Sequence, residues 1–182
     1  MEKWSKMKLE IFRGDSFQIV IDNPYEAVRI AILIRAGLQK STPEGSEIKW
    51  DARLALGLGS VNFSQEESVT ESDGEAFRNS GWEFDELGKR KLAIRTPWQN
   101  MNDELSTAFA DDIVSEWSVA QAQAIYASLI HSKTQKEIAA DLNTSPQNIS
   151  KRIIAGKEYL IRPYLDRCKQ IITAKIQTDG IK

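Results

Sequence analysis

The sequence predicts an α+β chain: strands mixed with helices in the first half, helices alone in the second. Three observations point there. Before residue 96, apolar residues alternate with polar ones in short runs, the period of a half-buried strand. From Pro97 onward they recur every three or four residues, the period of a helix. Charge is also divided. Residues 118–182 hold ten Lys/Arg against five Asp/Glu and residues 1–117 fourteen against twenty-one, so a basic third (+5) follows an acidic body (−7). The expected organisation is a mixed domain over 1–96, a connecting helix over 97–117 and a helical domain over 118–182.

The chain of 182 residues, 41% hydrophobic and 27% charged, can bury one large core or two small ones. No apolar run approaches the roughly 18 residues of a membrane span, and MEKWSKMKLE is not a signal peptide. Cys168 has no partner for an internal disulfide, and His131 alone cannot build a histidine metal site, so a reducing cytoplasm is the expected location. Cys168 reads as an ordinary buried thiol and His131 as a helix C-terminal cap. Trp4, Trp50, Trp82, Trp98 and Trp117 read as core and junction anchors.

Leu9 and Ile11, then Phe17, Ile19 and Ile21, alternate about Arg13-Gly14-Asp15-Ser16, which predicts a hairpin with a tight turn. Asn23, Pro24 and Glu26 supply a cap, a first helical residue and a capping box; Ala27, Ile30, Ala31 and Ile34 give the stripe and Gly37 the stop. Leu54, Leu56 and Leu58 alternate with Ala55, Gly57 and Gly59, a strand with one bulky face and one nearly bare face. Glycine weakens a strand unless a helix or a ligand must come close. Residues 62–71 read as a polar acidic loop. Ser72 and Glu75 open a short helix through Phe77 that stops before Gly81, and Leu92 and Ile94 mark a strand ending near Thr96.

Met101, Leu105, Phe109 and Ile113 give the connecting helix its period. Ser118 caps the next helix, which runs to about Ile130 with Ala122, Ile125, Tyr126 and Leu129 inward. Tyr159, Leu160, Tyr164, Ile171 and Ile172 predict a last amphipathic stretch, interrupted or offset by Pro163.

Between them lies TQKEIAADLNTSPQNISKRI, residues 134–153, which reads as a helix–turn–helix. Thr134 caps the first helix, and Ile138, Ala139 and Leu142 share its inner face. Asn143 occupies the turn, where its tolerance of left-handed backbone is useful. Ser145 caps the second helix and Pro146 begins it, its missing N–H costing nothing there. Ile149 and Ile153 anchor it inward, while Gln147 and Lys151 point outward. No carboxylate interrupts Ser145 to Arg152. Amide, hydroxyl and cationic side chains on a projecting helix are the types that pair with base edges and phosphates. Ser145, Gln147, Asn148, Ser150 and Lys151 are the expected base-facing set, and Thr134, Gln135 and Arg152 the expected phosphate contacts.

Several segments together resemble the SatD family of bacterial proteins: GDSFQ at Gly14–Gln18, IRAGL at Ile34–Leu38, ARLALGLG at Ala52–Gly59, SDGEAF at Ser72–Phe77, WSVAQAQAI at Trp117–Ile125 and TQKEIAADL at Thr134–Leu142. The resemblance covers most of residues 9–155 and implies an N-terminal domain followed by a helix–turn–helix. The N-terminal half is more distantly similar to the ferredoxin-like palm of nucleotide cyclases and GGDEF enzymes. There a Gly-Asp pair at a hairpin turn helps bind a catalytic metal. That role would transfer to Asp15, but the partner carboxylate of those enzymes lies on a preceding central strand that this sequence does not supply. The resemblance therefore implies an incomplete palm with a vestigial metal position at Asp15 and no catalysis. The strands flanking the gap are expected to pair directly, to accept a neighbouring chain, or to belong to a longer protein. The functional expectation is a homodimeric regulator binding double-stranded DNA, without cofactor; the alternatives are a metal-dependent nucleotidyl-transfer enzyme and a protein-interaction module.

Overall fold

The computed structural model describes residues 7–12, 14–61, 73–131 and 133–179. It is a mixed α/β structure with two small sheets and a helical C-terminal half. Strands β1 (Met7–Phe12) and β2 (Ser16–Ile21) form the expected antiparallel hairpin, closed at Gly14, whose φ of 79° suits glycine. Leu9 faces Ile19 and Ile11 faces Phe17 across the ladder, so one face is wholly apolar. Only part of that face is covered: Phe17 packs against the main core, but Leu9 and Ile11 are exposed.

The Asn23 carboxamide oxygen accepts the Tyr25 N–H, opening a 3-10 turn (Pro24–Glu26) that leads into α1 (Ala27–Lys40). Two expectations fail here. Glu26 does not close a capping box; its carboxylate pairs with Lys169 at 2.6 Å and Arg29 at 3.6 Å. Gly37 does not stop the helix, which continues to Lys40. Glycine costs a helix interior only about 1 kcal/mol, and burial of this helix outweighs that. α1 is sequestered around most of its circumference, Val28, Ile32 and Ala36 included, because α4 (Val119–His131) packs along it.

β3 (Leu54–Gly57) and β4 (Leu92–Arg95) pair in parallel, with α2 (Glu75–Asp85) as the crossover. The hairpin and β3 do not pair directly. Among the described residues the two sheets share no ladder: β3 pairs at one edge with β4, and the hairpin is held by side chains such as Phe17 and the buried Val20. α2 also outruns its expected stop, passing Gly81 to Asp85, and begins at Gly74 without a side-chain cap; Ser72 lies outside the described residues.

α3 (Met101–Ser115) starts at Asn100, whose side chain accepts the Asn102 and Asp103 N–H groups. Its buried face is Thr107, Ala110, Asp111 and Val114. Of the apolar series that announced this helix only Ile113 packs against the main core; Met101, Leu105 and Phe109 point to solvent, 81%, 52% and 63% exposed. α5 (Gln135–Asp141), α6 (Pro146–Ala155) and α7 (Glu158–Asp179) complete the chain. Pro163 lies within α7 without interrupting it; of the expected apolar series Ile172 is buried, joined by Ile161 and Leu165, whereas Tyr159 and Leu160 are exposed. Trp117 is fully buried, whereas Trp50 and Trp82 lie at the surface and Trp4 is outside the described residues. One apolar cluster runs through α1, β3, β4, α3, α4 and α7, crossing residues 96 and 117, while Ala124, Ile138, Ala139 and Ile149 form a second, smaller one.

Candidate nucleic-acid interface

Residues 134–155 build the helix–turn–helix from local signals that all agree. The Thr134 hydroxyl accepts the Glu137 N–H at 3.3 Å and the Glu137 carboxylate accepts the Thr134 N–H at 2.7 Å, a reciprocal cap that satisfies two otherwise orphaned donors. The Thr134 hydroxyl also donates to the Glu137 carboxylate at 2.7 Å, and this bond, with that from the Thr134 N–H, holds the Glu137 carboxyl below its ordinary range. Asn143 takes φ 48°, the left-handed turn that its residue type suits. Ser145 accepts the Asn148 N–H at 3.2 Å, and Pro146 opens α6. Ile138 and Ile149 are fully buried, with Leu142 and Ile153 packed on them. Burying two such side chains contributes on the order of 1.5–3 kcal/mol each, enough to hold two short helices that would not persist alone.

With that face inward, Gln147, Asn148 and Lys151 are exposed, and Ser150 and Arg152 lie on the flanks. Among the described residues no hydrogen bond or ion pair ties the side chains of Gln147, Lys151 or Arg152. Asn148 donates to the Thr144 hydroxyl at 3.2 Å, which fixes its amide at the start of the helix. Thr134 is exposed, but its hydroxyl is committed to Glu137 and a carboxylate stands beside it, so Gln135 and Lys136 are the unencumbered donors of that turn. Lys136 is missing from the expected set; its adjacency to the cap was the available signal. Lys133 is neutralised by Asp141 at 2.5 Å.

One junction fixes this unit to the body, and a buried ion cluster holds the body itself. Trp117 donates its indole N–H to the Gly156 carbonyl at 2.7 Å, at the corner between α6 and α7. A methyl group added at Gly156 would come within 2.3 Å of Ile125 Cδ1, so the buried Ile125 side chain would have to shift to admit it. Deeper, the fully buried Arg35 guanidinium grips Asp51 with two bonds of 2.9 and 2.8 Å and Asp111 with one of 2.6 Å. Asp111 also accepts the Lys91 N–H, and the Lys91 ammonium reaches Asp51 at 3.1 Å. Burial raises the Asp51 carboxyl pKa, but the Arg35 bonds and charge outweigh it and hold that pKa at about 2. Beside it, burial lowers the Lys49 ammonium pKa, and Lys49 donates to the carbonyls of Ser115 and Trp117. The only sequence hint of this cluster was an arginine, with Gln39 one turn on, inside a helix whose other buried residues are apolar.

The N-terminal half offers little chemistry. Asp15 sits in the exposed hairpin turn, its carboxylate 3.4 Å from the Ser16 hydroxyl, and among the described residues no group of three His, Cys, Asp or Glu could hold a metal. The bare face of β3 is accounted for by a helix rather than a ligand: a Cβ at Gly57 would meet the Ala76 carbonyl at 2.1 Å. Cys168 is half-buried, and burial pushes its thiol up to about 11, so it is not a reactive thiolate. His131 closes α4, and its side chain lies outside what the structure describes. No described helix is long and apolar enough to cross a membrane. Comparison with protein-family models, curated proteins and solved structures returns no match for this chain.

Proposed function

We propose that the chain is a DNA-binding transcriptional regulator of the SatD family that works as a homodimer. The observation that carries this reading is the outer face of α6. Gln147, Asn148 and Lys151 are exposed on a capped helix with no carboxylate, braced by α5 through a small core of its own. Such a helix fits the major groove, with Gln147 able to pair with an adenine edge and Lys151 with a phosphate or guanine. Gln135, Lys136 and Arg152 would position the duplex through its backbone. The SatD assignment rests on the segments quoted above.

The α/β body would then be an incomplete palm that dimerises or senses a signal without catalysis. The α3 surface supports a second copy of this chain as its occupant. Met101, Leu105 and Phe109 are evenly spaced about Leu105, so in an antiparallel pair Met101 of one copy meets Phe109 of the other. Asp112 and Glu116, on the same exposed face, would fall beyond the first turn of the partner helix, away from like charge. Two reading heads on a two-fold axis would match paired half-sites. Metal-dependent nucleotidyl transfer draws on Asp15 alone, and no turnover of ATP or GTP with Mg²⁺ is expected.

Anisotropy titration of the full chain against a random-core duplex, repeated across salt concentrations, tests the reading. Affinity should fall steeply with salt as released counterions are replaced; salt-insensitive or absent binding would overturn it. In sedimentation, Leu105→Glu should convert the dimer to a folded monomer.

A further inference from the structure

One residue on the reading face of α6 does not belong to its polar chemistry. Ile154 is 63% exposed although its neighbour Ile153 packs on the small core. At 100° per residue, seven residues bring the helix back to within about 20° of its starting direction, so Ile154 stands in line with Gln147, with Ser150 and Lys151 between them. Ile154 does not serve the fold at that position. It withholds most of its side chain from any core, and isoleucine is a poorer helix former than the alanine, lysine or arginine around it.

The line Gln147–Lys151–Ile154 therefore ends in an aliphatic tip where a duplex-binding helix would be expected to carry another polar group. The major-groove edge of a base pair displays one apolar group, the C5-methyl of thymine. Seven residues of helix rise about 10.5 Å, and base pairs repeat about every 3.4 Å, so the tip lies about three base pairs from the base beneath Gln147.

We propose that Ile154 is a specificity residue that packs on a thymine methyl about three base pairs from the adenine read by Gln147. This rests on the DNA-binding reading above and extends it to a half-site with A·T pairs at two fixed positions. Lys157, Tyr159 and Leu160 follow as exposed residues of the next corner and helix, so the competing use of Ile154 is as part of a protein-docking patch.

The test begins with selection of bound duplexes from a random-core library by the full chain. Each thymine of the selected site is then replaced by deoxyuridine, which lacks only the methyl. The wild-type chain should lose about fourfold in affinity at one such position, the worth of one buried methyl. Ile154→Ala should bind the thymine duplex about that much more weakly and be indifferent to the replacement, while melting like the wild type because the side chain is exposed. Tolerance of deoxyuridine at every position by the wild type, or undiminished sensitivity in Ile154→Ala, would overturn the assignment while leaving DNA binding intact. Failure to enrich any sequence, with no salt-dependent binding, would remove the regulator reading and this inference with it.

Discussion

The helical head over residues 134–155 and the α/β body of this chain are stabilised by different kinds of interaction. Between residues 134 and 155 each structural decision is made by neighbours: Thr134 with Glu137, Asn143 with its own backbone, Ser145 with Asn148. In the body the decisive partners are far apart in sequence, Arg35 with Asp51 sixteen residues on and with Asp111 seventy-six residues on. The head can thus be weakened in small steps, whereas the body depends on a few non-local groups.

The largest expected effect lies in the body. Arg35→Met removes the cation between two buried carboxylates and should cost about 3–5 kcal/mol, read as a drop in the urea midpoint of tryptophan fluorescence. A cost under about 1 kcal/mol would mean that the cluster is not what holds α1, β4 and α3 together.

Acid should act on the same place. The Asp51 carboxyl is held at about 2, below the ordinary 3.8, so the stability that it contributes is complete above pH 3.8 and is lost as pH falls toward 2. That amounts to about 2 kcal/mol. Denaturant titrations from pH 5 to pH 2 should show the decline, and Asp51→Asn should flatten this part of it.

The smallest effect belongs to the head. Thr134→Ala removes one cap and should cost about 1 kcal/mol, seen as faster amide exchange confined to α5 and its turn. Exchange spreading through α1 and β4 would break the contrast between local and non-local control.

The same contrast explains what could be read in advance. Caps, the turn asparagine and the Ser145–Pro146 start are short-range signals, and the helix–turn–helix formed where they stood. Gly37, Gly81 and Pro163 are short-range signals too, yet helices run through all three: in α1 and α7 burial against distant elements outweighs the local penalty, and beyond Gly81 the buried Glu83 carboxylate of α2 pairs with Arg90 and Arg95. Periodicity placed α3 correctly but not its orientation, since apolar spacing marks a face without saying what will cover it. The Arg35 cluster was hidden for the same reason: a charged residue gains its meaning from partners that only the tertiary fold brings near. The corner at Gly156 likewise depends on Trp117 and Ile125, more than thirty residues before it.

The central claim is that the exposed side of α6 enters a double helix. The most direct measurement is the salt-dependent duplex affinity of Gln147→Ala/Lys151→Ala beside the wild-type chain, with thermal melts confirming that both are folded. The account predicts affinity reduced by about tenfold or more at fixed salt, and a salt slope smaller by roughly one counterion. Equal affinity and equal slope in the two folded proteins would contradict it.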